Sequence, residues 1–260
     1  MRILFFGASE LGFQCCNSII KNGFNVVGIF TIPREFSIKY RNSKSKEKIK
    51  NYLYKDFHQF EKSGISVFSV DGKLAGFNVE IQNLKPDLII VVSWYYLIPE
   101  AIISLAANGA IGIHASLLPK YRGNAPLVWA MINGESETGV SLFYIEKGVD
   151  KGAIIAQKKF NIDSNDTIKD LLEKARIAAI AVLNEALPKI KNNSVISIRQ
   201  DHSKATTFPK RTPQDGLIDW SWDVVRIENF IKAQTKPYPG AFTYIGDKKV
   251  IIWDAEINKI

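Results

Sequence analysis

The chain has 260 residues, 46% hydrophobic and 23% charged, with a formal net charge of +8. These are ordinary globular proportions, enough for one large or two small packed domains. The longest apolar run, Leu88 to Pro99, is too short to span a bilayer, and adjacent Cys15 and Cys16 exclude a disulfide framework. The three histidines, His58, His114 and His202, form no Cys/His pattern with metal-ligand spacing, so no metal is expected. The N-terminus reads as a first strand rather than a signal peptide, and with unpaired cysteines the expected location is cytoplasmic, with no membrane partner.

Arg2 to Phe6 is a buried-strand pattern, and residues 9–22 carry Leu11, Cys15, Ile19 and Ile20 at helical spacing. Between them, Gly7-Ala8-Ser9-Glu10-Leu11-Gly12 lacks both the GxGxxG pattern and a P-loop lysine, and reads as a tight turn. Asn25 to Thr31 and Ile65 to Val70 are further strands. A helix over 73–84 leads to Leu88–Val92, whose lack of polar alternation calls for cover on both faces. A helix around 98–106 precedes a strand from Ala110 to His114. This order predicts an α/β protein with a doubly wound, mostly parallel, Rossmann-like sheet.

Beyond residue 138 the pattern changes. Thr138–Ile145 and Ala153–Phe160 read as strands, and Thr167–Ile190 as a long helix capped by Ser164 or Asp166. Residues 200–216 read as a polar linker, followed by a helix near 223–234. A hairpin near 241–253 turns at Gly246-Asp247. The expected organisation is a catalytic domain over 1–200, then a linker and a small C-terminal α/β-hairpin extension over 201–260.

The charge is local. Arg34 to Lys50 holds seven basic and two acidic residues, so +5 of the +8 lies in seventeen residues. Two readings fit: an arm that meets phosphates, or a solvated loop and helix start.

The segment with the strongest chemical signal is 112–126, GIHASLLPKYRGNAP. His114 ends an apolar strand, where ligands bind in such sheets. Pro119, Gly123 and Pro126 make the following loop irregular. Asp150, in a glycine-flanked loop, could fold back to His114, where a carboxylate favours the charged imidazole and fixes its tautomer.

His114, Ser116-Leu117-Leu118-Pro119, Tyr121-Arg122-Gly123, Ala125-Pro126, Trp129, Asn133-Gly134-Glu135, Thr138-Gly139-Val140 and Asp150-Lys151-Gly152 together resemble the formyltransferases that use 10-formyltetrahydrofolate. Ile218-Asp219-Trp220 and Pro237-Tyr238-Pro239-Gly240 extend the resemblance to nearly the whole chain. It implies a formyl-transfer enzyme with 10-formyltetrahydrofolate as co-substrate and His114 and Asp150 as catalytic residues. It implies cofactor contacts at Tyr96, Leu97, Ile98, Ser116, Leu117, Leu118, Pro119, Asn124, Glu146, Lys147, Gly148 and Val149, and substrate contacts at Trp94, Tyr95 and Arg122. One departure stands out: Gly112 occupies the position of the family's asparagine, which is similar to an oxyanion-hole donor.

The resemblance leaves the acceptor amine open. Closest are enzymes that formylate amino sugars on a nucleoside diphosphate, which share Lys120-Tyr121-Arg122-Gly123, Ser93-Trp94-Tyr95-Tyr96-Leu97 and a short C-terminal region. Formylation of methionyl-tRNA would suit the basic segment, but 23 residues after Pro237 cannot build the five-stranded barrel expected there. A degenerate member that binds folate or nucleotide without catalysis is a third reading, motivated by Gly112. The terminal hairpin needs a packing partner, which suggests a homodimer through the C-terminal region.

Overall fold

The structure, a computed structural model, describes residues 1–39, 46–72 and 74–257. Its strands in chain order are β1 (Arg2–Gly7), β2 (Asn25–Thr31), β3 (Glu35–Lys39), β4 (Lys46–Lys50), β5 (Val67–Ser69), β6 (Leu88–Val92), β7 (Ala110–His114), β8 (Arg122–Gly123), β9 (Glu137–Tyr144), β10 (Ile154–Asn161), β11 (Thr207–Phe208), β12 (Ala241–Ile245) and β13 (Lys248–Ile252). The α-helices are α1 (Glu10–Lys21), α2 (Asn78–Leu84), α3 (Glu100–Ile103), α4 (Pro126–Ile132), α5 (Ile168–Lys191) and α6 (Val224–Lys232).

Seven strands form the central sheet in the order β10-β9-β7-β6-β1-β2-β5. Strands β5, β2, β1, β6 and β7 run parallel, while β9 is antiparallel to both β7 and β10. The pleat sorts β1 between two apolar layers. Ile3 and Phe5 pack with Cys15, Cys16 and Ile19 of α1 and with α5 residues such as Leu183 and Leu187. Leu4 and Phe6 pack with Ile81 of α2 and Ile102 of α3 on the other face. Covered on both sides, β6 is Leu-Ile-Ile-Val-Val without alternation, as a buried parallel strand should be.

Three expectations are corrected. The cap of α5 is Thr167, whose N–H and Oγ1 both donate to the Asp170 carboxylate at 2.8 and 2.7 Å. Asp166 instead accepts from Lys174 Nζ at 2.5 Å, so its charge serves an ion pair. The basic segment is no helix start: β3 and β4 pair as an antiparallel hairpin, with Phe36 opposite Ile49 and Ser37 opposite Lys48. Its apolar residues Phe36, Ile38 and Ile49 pack toward Trp94, Tyr95 and Tyr96, which leaves Lys48 and Lys50 exposed. Arg41 and Lys44, also counted in that segment, lie outside the described residues. Finally, 200–216 is not a free linker: β11 pairs in parallel with β8 and closes over the loop after β7.

The terminal hairpin β12–β13 packs at one end only. Ala241 and Phe242 are buried with Ile218 and Phe230, and Ile218 N–H donates to Phe242 O at 2.8 Å. Tyr244, Ile245, Val250 and Ile251 remain exposed. No helix among the described residues is long and apolar enough to cross a membrane.

Candidate functional site

From β1 the chain builds outward through β2 and β5, then returns to add β6 and β7 on the other side of β1. That reversal opens the crevice at the carboxyl ends of β1 and β6, the usual ligand position in doubly wound sheets. Asn51 sits there, 2% exposed. Its Nδ2 donates to Ala8 O at 2.5 Å and its Oδ1 accepts from Tyr95 OH at 3.2 Å.

One strand over, His114 ends β7 and is 8% exposed. Its Nε2 lies 2.6 Å from Tyr121 O. Hydrogen bonding to a carbonyl requires the proton on Nε2, so the neutral ring leaves Nδ1 as its acceptor. Asp150 Oδ2 stands 3.6 Å from that Nδ1 and accepts from Gly123 N–H at 2.8 Å. The structure thus brings His114 and Asp150 together across 36 residues of sequence. A base at Nδ1 that acquires a proton would form an ion pair with Asp150, the arrangement of a general acid/base.

The loop from 115 to 125 is held by its own polar groups. Ser116 is fully buried and its Oγ donates to Lys120 O at 2.7 Å. Ser141 Oγ donates to Ser116 O at 2.6 Å and accepts from Leu118 N–H at 3.0 Å. Gln157 Nε2 donates to Leu118 O at 2.9 Å. Ser116 and Leu118 are therefore committed to the loop, whereas Asn124 is exposed. Pro119 is half-buried, and Leu117 lies over β9, where a Cβ on Gly139 would come within 2.5 Å of its Cδ2. Tyr121 stacks on Phe208 with centroids 4.7 Å apart, and its hydroxyl donates to Glu135 at 2.6 Å. Burial, helped by that bond, pushes the phenol up to about 12.

Arg122 is only 4% exposed. Its guanidinium donates to Gln200 Oε1 and, at 2.9 Å, to His202 Nδ1. Tyr95 is committed to Asn51, and burial pushes its phenol up to about 12. Trp94 packs edge-on against Phe6 at 5.1 Å, with its buried indole N–H unpartnered. Of the three residues expected to touch substrate, two are occupied within the fold.

The loops expected to hold the folate are different. Among the described residues, the backbone groups of Leu97, Ile98, Glu146, Lys147 and Val149 make no close hydrogen bond, while Gly148 opens a turn over 149–150. Leu97 is 90% exposed and Val149 55%. Tyr96, Ile98 and Ile145 pack against one apolar layer beneath them. Backbone donors and acceptors without a close partner among the described residues, beside exposed apolar side chains, fit a flat heteroaromatic ring with polar edges. Among the described residues no group of three His, Cys, Asp or Glu side chains could hold a metal ion.

Gly112 lies on the same face of β7 as His114. A Cβ built there meets Phe143 Cε1 and Ile145 Cγ1 and Cδ1, each at 3.3 Å. The Cβ of an asparagine here would thus press on apolar side chains.

The polar loop lies at the carboxyl edge of a doubly wound sheet, where such folds bind their ligands. Sequence models of the formyl transferase family match residues 1–187, and its C-terminal domain matches 210–260; the chain belongs to this family. It is 35% identical to a methionyl-tRNA formyltransferase of Alkaliphilus oremlandii, over 99% of this chain and 80% of the relative. It is 37% identical to the bifunctional polymyxin resistance protein ArnA of Wigglesworthia glossinidia brevipalpis, but spans only 38% of that longer protein. Among solved structures it resembles an N-formyltransferase from Helicobacter canadensis in complex with folinic acid and dTDP-3-aminofucose. The TM-score is 0.71 at 21% identity, covering 96% of this chain and 86% of the other.

Proposed function

We propose that the chain moves the formyl group of 10-formyltetrahydrofolate to the amine of a nucleotide-linked amino sugar. The observation that carries formyl transfer is His114 Nδ1 facing Asp150 at 3.6 Å while Nε2–H is tied to Tyr121 O. The bound folate supplies the formyl group, and the backbone of Tyr96–Ile98 and Glu146–Val149 would hold its ring. As the acceptor amine bonds to the formyl carbon it must lose a proton. Nδ1 of His114 takes it, Asp150 offsets the new positive charge, and the imidazolium can return the proton to the leaving nitrogen. The same cation stabilises charge developing on the formyl oxygen.

The sugar acceptor is supported by a solved structure of similar fold. The Helicobacter canadensis protein, similar over most of its length, was found with a folate and a nucleotide-linked amino sugar. A second reading, methionyl-tRNA as acceptor, is favoured by the 35% identical relative and by the exposed Lys48 and Lys50 of β4. The proposal includes a homodimer through the exposed hairpin face, which a monomeric mass in solution would contradict.

The test is an acceptor panel: 10-formyltetrahydrofolate with dTDP- or UDP-linked amino sugars or with methionyl-tRNA, following tetrahydrofolate release. Turnover with a sugar nucleotide supports the proposal. Turnover with tRNA alone sinks the sugar acceptor, and none with any amine supports a binding protein without catalysis.

A further inference from the structure

Gln200 lies in the stretch that reads as a linker, yet it is 7% exposed and every polar atom of its side chain is engaged. Oε1 accepts from Arg122 Nη2 at 2.5 Å and Nε at 3.2 Å. Nε2 donates to Asp150 O at 2.8 Å and to Gly152 O at 2.7 Å. The carboxamide orientation is forced: reversed, it would set donor against donor at Arg122 and acceptor against acceptor at both carbonyls.

The segment it grips is tightly constrained. Asp150 has φ of +51°, in the left-handed region. At Gly152 a Cβ would collide with Tyr144 O at 1.7 Å, so the chain passes there with no room for adjustment. Gln200 pins the carbonyls on both sides of Lys151, while Gly123 N–H holds the carboxylate of Asp150. Arg122, the residue before Gly123, closes the ring by donating to Gln200. Both sides of the His114–Asp150 pair thus lead to one buried amide.

We infer that Gln200 is a positioning residue for formyl transfer: it holds the Asp150 backbone so that the carboxylate faces His114 Nδ1. This rests on the roles of His114 and Asp150 proposed above. Gln200 contacts neither nitrogen of His114, and it grips the chain after the 146–149 loop, at Asp150 and Gly152. Its main effect is on the chemical step, through the Asp150 carboxylate that faces His114.

The discriminating variant is Gln200→Glu. It keeps acceptors for Arg122, with which it forms an ion pair, so the fold is retained. It loses the donors and sets carboxylate oxygen against two carbonyls. The expected result is a ten- to hundredfold fall in kcat with any change in KM for donor or acceptor much smaller, since small misplacements at a reacting centre cost about this much. In an Asp150→Asn background the same change should cost less than about twofold, because the group it positions is already gone. An activity-independent readout accompanies these. The imidazole resonances of His114 should move in Gln200→Glu and in Asp150→Asn, while those of His58 stay fixed. Wild-type kcat in Gln200→Glu, costs that multiply in the double variant, or unmoved His114 resonances would overturn the inference. If the wild-type protein transfers no formyl group, the functional proposal fails instead, and the resonances alone decide whether Gln200 sets the Asp150–His114 contact.

Discussion

Replacing Gly112 by asparagine restores the family's residue but not its surroundings. The new Cβ would stand 3.3 Å from Phe143 and Ile145, so both must give way by a few tenths of an ångström. Overpacking of this kind costs about 1–3 kcal/mol. The amide would also be buried in an apolar wall, and a polar group without partners there costs about 1–3 kcal/mol. Together these predict a loss of about 2–6 kcal/mol, or about 5–20 °C in Tm for a chain of this size. Thermal unfolding and tetrahydrofolate release in Gly112→Asn check this; kcat should stay level or fall. A variant as stable as the parent with kcat raised tenfold or more would refute the reasoning, showing that the space exists and the parent site lacks a donor it can use.

Three further outcomes follow from the geometry. Asp150→Asn keeps an oxygen for Gly123 N–H but removes the charge 3.6 Å from His114 Nδ1. Coulomb's law gives that pair about 1 kcal/mol in bulk water and about 4–5 kcal/mol at an effective dielectric near 20, so kcat should fall about tenfold to a thousandfold without loss of fold. Burial pushes the Cys15 thiol up to about 12 and Cys16 higher still, and Tyr95 to about 12. The unfolded chain ionises these groups first, so their contribution to stability is intact below about pH 9 and lost as pH climbs through about 9–12. Urea midpoints should be flat from about pH 7 to 8.5 and decline above, and native thiols should resist alkylation at about pH 8. Thr167→Ala removes a donor to Asp170 at the start of α5 and should cost about 1 kcal/mol by urea unfolding.

The parallel sheet was legible because its strands carry the marks of burial on both faces, Leu88–Val92 most plainly. The pattern only suggested that His114 and Asp150 could meet; it was the resemblance of 112–126 and Asp150-Lys151-Gly152 to the formyltransferases that put the two in one site. The basic hairpin was hidden by composition: lysine and glutamate around 44–50 favour helix, and tertiary packing of Phe36 and Ile49 overrides that preference. The period-two run Glu35-Phe36-Ser37-Ile38-Lys39 was the signal that could have exposed it. Gln200 and Asn51 gave no signal at all. Each is a lone amide whose long-range partners, backbone carbonyls and side chains, stand 43 to 78 residues away and are brought near only by folding. The α5 cap was misplaced by a few residues because Ser164, Asp166 and Thr167 are all capping residue types, and only Thr167 has an acidic residue at the third position that its own N–H can reach.

The most direct test of the central claim is single-turnover formyl transfer from 10-formyltetrahydrofolate to a nucleotide-linked amino sugar, in the parent protein and in His114→Ala. The account predicts stoichiometric tetrahydrofolate release by the parent and a loss of at least about a hundredfold in the variant, the range for a general acid/base. Equal rates in the two proteins would contradict it.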